Sequence, residues 1–246
     1  MTRGLIITGG GRGIGAATAR LAAQRGYAVC VNFARNQQAA DAVVAGIRAA
    51  GGTAFAHCAD IAVESDVTGL FDAAERAFGA VPDLVKNAGI TGRIAPFADQ
   101  TAATWREVFD VNVIGAMLCA REAVRRLTAR NAPGAIVNVS STAATTGSPG
   151  EYVHYAASKA AVDSFTIGLA RELAGKAIRV NAVAPGATLT EIHAAGGEPD
   201  RPARIKGRIP MGRLATPEEI APAILWLLSD EASYVTGAIL RAGGGF

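Results

Sequence analysis

Tyr155 and Lys159 stand four residues apart in Tyr155-Ala156-Ala157-Ser158-Lys159, a spacing that puts a phenol and an ammonium on one face of a helix. A free phenol, with a pKa of about 10, is a poor acid or base at neutral pH. A neighbouring cation stabilises the phenolate and brings it toward a useful range. Standing alone, such a pair is an ordinary helical Tyr and Lys. Here it is accompanied by Ser140-Ser141, which closes the apolar run Ile136-Val137-Asn138-Val139 just upstream. In doubly wound α/β sheets that strand end is where ligands bind.

A second cluster lies at the other end of the chain. Leu5-Ile6-Ile7 runs into Thr8-Gly9-Gly10-Gly11-Arg12-Gly13-Ile14-Gly15 and then into a helical stretch. Glycines let a backbone turn sharply and approach a pyrophosphate, whose charge the helix N-terminus stabilises. The spacing is G-x-x-x-G-x-G, placed after the first strand and before a helix, as a dinucleotide site requires. An NAD site would end its second strand on a carboxylate for the ribose hydroxyl. This one ends Val31-Asn32-Phe33-Ala34-Arg35-Asn36. With Arg12 in the glycine loop and Arg35 past the strand, two guanidiniums are available for a 2′-phosphate, which favours NADP(H) while leaving NAD(H) possible.

The elements that must position these groups alternate. Apolar runs at 5–7, 28–31, 53–56, 84–85, 136–139 and 179–183 predict strands covered on both faces, as in parallel sheets. Amphipathic stretches near 13–25, 37–50, 64–79, 102–130 and 153–174 predict the helices between them. A last helix near 217–229 is entered through Thr216 as N-cap with Pro217 at its first position. The alternation predicts a doubly wound α/β sheet forming one domain over 1–246. The segment 188–210 has no clear period and holds Gly196-Gly197; a loop of that length reads as a lid.

Composition bounds the remaining options. Of 246 residues, 50% are hydrophobic and only 18% charged, which excludes a disordered chain. Aromatics are scarce at 6% while glycine numbers 29, so the core must bring backbones close together. The net charge of +3 is dispersed, and the four arginines between Arg121 and Arg130 fit a solvated helix face better than a nucleic-acid patch. Cys30, Cys58 and Cys119 share no metal or disulfide spacing and sit in apolar runs, which predicts buried thiols. His57, His154 and His193 lack metal-ligand spacing, so no metal is expected. No apolar run is long enough for a membrane span, and the first residues reach glycine too early for a signal sequence. A soluble, cytoplasmic protein is the expectation.

Taken together and in order, Thr8 to Gly15, Asp60, Asn87-Ala88-Gly89, Asn112, Ser141, Tyr155 with Lys159, and Pro185-Gly186 resemble the short-chain dehydrogenase/reductase family over essentially the whole chain. The resemblance implies a Rossmann fold, a seven-stranded parallel sheet with helices on both faces. It implies that Tyr155 is the general acid/base and that Lys159 lowers its pKa and holds the nicotinamide ribose. Ser141 would polarise the substrate carbonyl, and Asn112 would support a proton-relay water. Gly9, Arg12, Gly13, Ile14, Gly15 and Arg35 would bind the cofactor's phosphates. Asp60, Ile61, Asn87, Ala88 and Gly89 would line its adenosine side, and Pro185, Gly186, Thr188 and Thr190 would face the nicotinamide. Relatives of this kind are commonly homotetramers.

Three departures mark this sequence. Ser141 and Tyr155 are 14 positions apart, one more than is common, so Gly147-Ser148-Pro149-Gly150 must absorb a residue. A slipped register would substitute Ser140, though strand alternation points it to the other face. Lys86 replaces an Asn, and Arg241 stands where an Asp is usual. The segments 147–154 and 193–199 resemble a bacterial branch carrying general oxidoreductase or glucose 1-dehydrogenase labels. The expected reaction is hydride transfer between NADP(H) and a small carbonyl or secondary alcohol. Reduction of 3-oxoacyl thioesters is the alternative, and a catalytically silent NADP(H) sensor is the alternative of another class. No nucleic-acid or membrane partner is expected.

Overall fold

Leu5, Ile6 and Ile7 are all fully buried, yet they serve two different cores, because successive side chains of a strand point to opposite faces. Leu5 and Ile7 pack with Val29, Val31, Val85 and Val137, whereas Ile6 packs with Cys30, Leu84, Ile136 and Val180. The computed structural model describes residues 3–246; Met1 and Thr2, the start of the N-terminal run read above, lie outside the described residues.

Seven strands form one parallel sheet: β1 (Arg3–Ile7), β2 (Tyr27–Phe33), β3 (Thr53–Cys58), β4 (Asp83–Lys86), β5 (Gly134–Val139), β6 (Ile178–Pro185) and β7 (Ile239–Ala242). Their order is β3-β2-β1-β4-β5-β6-β7, so the winding reverses between β1 and β4. At such a switch point the strand C-termini open a crevice. The helices are α1 (Gly13–Gln24), α2 (Gln37–Ala49), α3 (Glu64–Phe78), α4 (Ala102–Phe109), α5 (Gly115–Ala129), α6 (Ala143–Thr146), α7 (Val153–Leu173), α8 (Ile192–Ala195), α9 (Arg201–Ile205) and α10 (Pro217–Leu228). α1, α2 and α10 cover one face of the sheet, and α3, α5 and α7 cover the other. Alanine makes the close approach possible: Ala16, Ala19 and Ala22 of α1 are all buried against the sheet. This is the doubly wound Rossmann-like fold expected from the alternation.

Three local features differ from the expectation. The helix expected over 102–130 is interrupted by a π turn at Asp110–Ile114, between α4 and α5. The segment 188–210 is not bare loop; it folds into α8, α9 and a 3-10 turn at Lys206–Arg208. Cys30 and Cys119 are buried, but Cys58 is exposed because β3 is an edge strand and Cys58 is its last residue. The 147–150 turn accommodates its residues with left-handed backbone at Gly147 (φ 72), Ser148 (φ 45) and Gly150 (φ 75). Only glycine adopts that conformation without strain, so Ser148 is held there by its surroundings. Three of the four arginines between Arg121 and Arg130 are paired: Arg121 with Glu64, Arg126 with Glu122, Glu75 and Asp72, and Arg130 with Glu75. α10 begins as expected, with the Glu219 carboxylate accepting the Thr216 N–H at 2.9 Å.

Candidate active site

The two strands flanking the switch point are stapled at their C-terminal ends. Thr8, buried past β1, accepts at its Oγ1 the N–H groups of Asn87 (3.0 Å) and Ala88 (3.1 Å). In return Asn87 Nδ2 donates to the carbonyls of Thr8 and Gly9, both at 3.0 Å. Gly9 (φ 61) and Gly13 (φ 51) take left-handed backbone, which turns the loop back over the sheet edge. A Cβ on Gly15 would collide with the Gly9 carbonyl and lie 2.6 Å from Asn87 Nδ2. Arg12 is the N-cap residue of α1, Ile14 in its first turn is half-buried, and both Arg12 and Arg35 are exposed. Neither guanidinium has a carboxylate partner among the described residues.

Asn32, at the end of β2, joins this loop to the next. Its Oδ1 accepts the Gly9 N–H at 3.3 Å and its Nδ2 donates to the Ala59 carbonyl at 2.9 Å. Asn32 carries no charge, so the strand end offers no carboxylate. The chain past Ala59 continues to Asp60, exposed and accepting the Ala62 N–H, and to Ile61, buried against α5 so closely that a Cβ on Gly115 would lie 2.9 Å from it. On the far side, Pro185 ends β6 and Gly186 donates to the Ala242 carbonyl at 2.9 Å. A Cβ on Gly186 would lie 2.8 Å from Gly243 Cα. Thr188 is buried and donates to the Gly186 carbonyl, and Thr190 reaches back until its Cγ2 is 3.0 Å from where a Cβ on Gly13 would be.

Between these walls lie Ser141, Tyr155, Lys159 and Asn112. The π turn gives Asn112 its place: fully buried, it accepts the Ile90 N–H at 2.9 Å and donates to the Ile90 carbonyl (2.9 Å) and Ser158 Oγ (3.0 Å). A single-turn π bulge removes a carbonyl from the helical ladder, and the Asn112 carbonyl instead accepts Lys86 Nζ at 2.8 Å. Lys159 Nζ donates to the Val139 carbonyl at 2.8 Å and sits 5.6 Å from the centre of the Tyr155 ring. Gly89 keeps the space between them open: a Cβ there would lie 3.1 Å from Asn112 Oδ1 and 3.3 Å from Lys159 Nζ. Ser141 lies on the phenol's side and acts to lower it, whereas the Ser140 hydroxyl donates to the Lys159 carbonyl at 3.4 Å, the opposite side that alternation demands.

Burial dominates the electrostatics. It pushes the Lys159 ammonium down to about 8, opposed by Asp163, and lowers Lys86 well below the ordinary lysine range, with the Lys159 charge adding to the effect. The Tyr155 phenol is raised by burial and then by Tyr152, with the Ser141 hydrogen bond and the Arg201 charge opposing. The direction differs from the one expected of a Tyr beside a Lys, because the phenol is buried and the cost of taking its charged form out of water outweighs the opposing contributions. A second cation, Arg201 of α9, also acts to lower the phenol.

Three side chains here had no local signal in the sequence: Glu151, Tyr152 and Arg201 meet only through the fold. The Tyr152 ring packs edge-on against Tyr155 at 5.1 Å, and together with Ile94, Ala143 and Ala156 these two rings form a small apolar cluster. His154 points away from the chemistry, its Nε2 bonding the Thr91 carbonyl at 2.8 Å. Among the described residues no three His, Cys, Asp or Glu side chains gather into a metal-ligand set, and no helix is long and apolar enough to cross a membrane.

A seven-stranded Rossmann-like sheet with a glycine loop at its switch point and a Ser, Tyr and Lys at the next strand end defines a nucleotide-dependent oxidoreductase. The comparisons agree. A sequence family described as enoyl-(acyl carrier protein) reductase matches residues 9–246. The chain belongs to this short-chain dehydrogenase/reductase family and is an NAD(P)-dependent oxidoreductase. It is 51% identical to the uncharacterised oxidoreductase YgfF of Escherichia coli strain K12 over 98% of both chains. It is 43% identical to cis-4-hydroxycyclohexanecarboxylate dehydrogenase of Sinomonas cyclohexanicum, covering 98% of this chain and 95% of that one. With the 3-oxoacyl-[acyl-carrier-protein] reductase of Synechocystis it shares 40% identity over 98% of this chain and 95% of the other.

Proposed function

We propose that this enzyme prefers NADP(H) to NAD(H) and interconverts a small carbonyl compound and its secondary alcohol, with Tyr155 as general acid/base. The observation that carries this reading is the convergence of Ser141, Tyr155, Lys159 and Asn112 beside the glycine loop, with Gly89 leaving open the space between Lys159 and Asn112. The neighbouring features fit a bound dinucleotide: a loop that needs glycine at Gly9, Gly13 and Gly15, a helix N-terminus, and two guanidiniums without a carboxylate partner among the described residues. When bound, the cofactor supplies or accepts the hydride. Arg12, Arg35 and the α1 N-terminus would hold its phosphates, Asp60, Ile61 and Asn87-Ala88-Gly89 its adenosine side, and Lys159 with residues 185–190 its nicotinamide side.

The chain's own residues handle the proton. In reduction the Tyr155 hydroxyl donates its proton to the substrate oxygen, which Ser141 also hydrogen-bonds, leaving a phenolate. In oxidation that phenolate takes the alcohol proton. Lys159 stabilises the phenolate and Asn112 keeps the space beside Lys159 polar, so the proton has a route away from Tyr155. The segment 188–210 closes over the substrate as a lid, and the chains assemble as homotetramers, which sedimentation at micromolar concentration would show. Relatives named as 3-oxoacyl-[acyl-carrier-protein] reductases support a second reading, reduction of a 3-oxoacyl thioester.

NADPH consumption against a panel of ketones, aldehydes and one 3-oxoacyl thioester tests the proposal. Turnover of a simple ketone or aldehyde supports the first reading, and turnover of the thioester alone the second. Tight NADPH binding with no turnover of any compound would replace both with a cofactor sensor.

A further inference from the structure

The longer interval between Ser141 and Tyr155 has a structural product. The turn at 147–150 delivers Glu151 and Tyr152 to the mouth of the site, directly in front of Val153, the first residue of α7. Glu151 Oε2 accepts two hydrogen bonds from Arg201 of α9, from Nε at 2.9 Å and Nη2 at 2.6 Å; its Oε1 accepts one from Arg204 at 2.7 Å. Arg204 is further tied to Glu198 at 3.1 Å. The Ala95 N–H donates to the Glu151 carbonyl at 2.8 Å, and the Ile94 N–H to the Gly196 carbonyl at 2.9 Å. Three segments distant in sequence are thus strapped together, α9 through the Glu151 carboxylate and residues 94–95 through backbone bonds.

Arg201 is buried as well as paired, with 7% of its surface exposed. A guanidinium is buried only where it is satisfied, and here its third contact is a ring: Cζ lies 4.8 Å from the centre of Tyr152. Tyr152 in turn meets Tyr155 edge-on. The chain of contact runs Glu151, Arg201, Tyr152, Tyr155. Resting on the reading of Tyr155 given above, we propose that Arg201, latched by Glu151, is a positioning residue that holds the catalytic phenol through Tyr152 and places a cation within reach of its phenolate only when the 188–210 segment is seated.

The groups around the phenol agree with this division of labour. Past β5's end Ser141 acts to lower it; from α7 comes Lys159, engaged by Val139, and from the N-cap position just before α7 comes Tyr152; from α9 comes Arg201, and from α8 the neutral His193 stands near the Arg201–Glu151 pair. Arg201 acts to lower the phenol, while the Glu151 charge is felt at Tyr152 and His193. Breaking the latch therefore removes one cation from the surroundings of Tyr155 and leaves Lys159 in place.

The test is the ultraviolet titration of tyrosinate in the enzyme saturated with NADP+, each trace corrected by subtracting the same protein carrying Tyr155→Phe. Arg201→Met is expected to move the Tyr155 midpoint up by about half a pH unit or more, the scale of one charge at second-neighbour distance in a partly screened site. Glu151→Gln is expected to shift it in the same direction, since among the described residues Glu151 takes both side-chain hydrogen bonds of Arg201, and to speed hydrogen exchange across 188–210. Arg201→Lys, which keeps the charge, should recover part of the shift, and the Glu151→Gln/Arg201→Met double variant should shift no further than the larger single. Midpoints equal to wild type in both single variants would overturn the proposal; should Arg201→Met not fold, the Glu151→Gln midpoint decides alone. Full turnover by Tyr155→Phe would instead overturn the reading of the active site, which keeps the two failures apart.

Discussion

His193 offers a pH experiment whose size follows from its surroundings. The ring is 6% exposed, and neither nitrogen has a protein hydrogen bond among the described residues. Burial is the main cause that lowers its pKa, the Arg201 charge adds, and Glu151 opposes; together they bring it from 6.5 to about 4. The unfolded chain therefore binds a proton at His193 before the folded one does. Stability at this site is complete above pH 6.5, is lost as pH falls from there toward 4, and loses nothing further below. The full span is worth about 3 kcal/mol, and about 2 kcal/mol is gone by pH 5. Because α8 belongs to the 188–210 segment, the loss should appear as local opening of that segment while the sheet stays protected. Hydrogen exchange corrected for intrinsic rates should show protection in 188–210 falling roughly 30-fold between pH 7 and pH 5. His193→Gln should remove most of that dependence. Protection unchanged with pH, or an equal fall in His193→Gln, would refute the burial argument.

Other expectations are equally direct. Arg35→Asp should weaken NADP(H) far more than NAD(H), by about 1.5–3 kcal/mol for a lost charge-assisted contact, roughly 10- to 150-fold in the ratio of KM values; equal effects on both cofactors would remove the basis for NADP preference. Lys159→Met should lower both turnover and cofactor affinity, measured by steady-state kinetics and NADPH fluorescence titration, because Lys159 is assigned to both tasks. Burial raises the Cys30 thiol far above its ordinary range and the Cys119 thiol to about 12, so a thiol reagent at neutral pH should modify Cys58 alone, as peptide mass mapping would show.

Features encoded within a few neighbouring residues were legible in the sequence. The glycine loop, the Tyr155–Lys159 spacing and the Thr216-Pro217 helix start each depend on local backbone, and each stands where it was read. The sheet followed from alternating apolar runs, although β4 is longer than its apolar pair because Asp83 and Lys86 are buried with it. What stayed hidden was non-local. The π turn at 110–114 leaves the helical period of 102–130 intact, so periodicity alone shows one rod. Cys58 looked buried because its run is apolar, and only the sheet order makes β3 an edge. The Glu151–Arg201 latch joins residues fifty positions apart, which composition and spacing cannot pair. Arg201 likewise reads as one more dispersed surface charge until Glu151 and Tyr152 are placed beside it.

In the proposed reaction the Tyr155 hydroxyl transfers the proton. Tyr155→Phe removes that hydroxyl and keeps the ring in contact with Tyr152, so the pocket and the cofactor site should persist. NADPH turnover on the best carbonyl substrate of the panel, measured beside NADPH binding, should show affinity retained and kcat reduced by roughly 10²- to 10⁴-fold. Turnover near the wild-type rate with NADPH bound would contradict it.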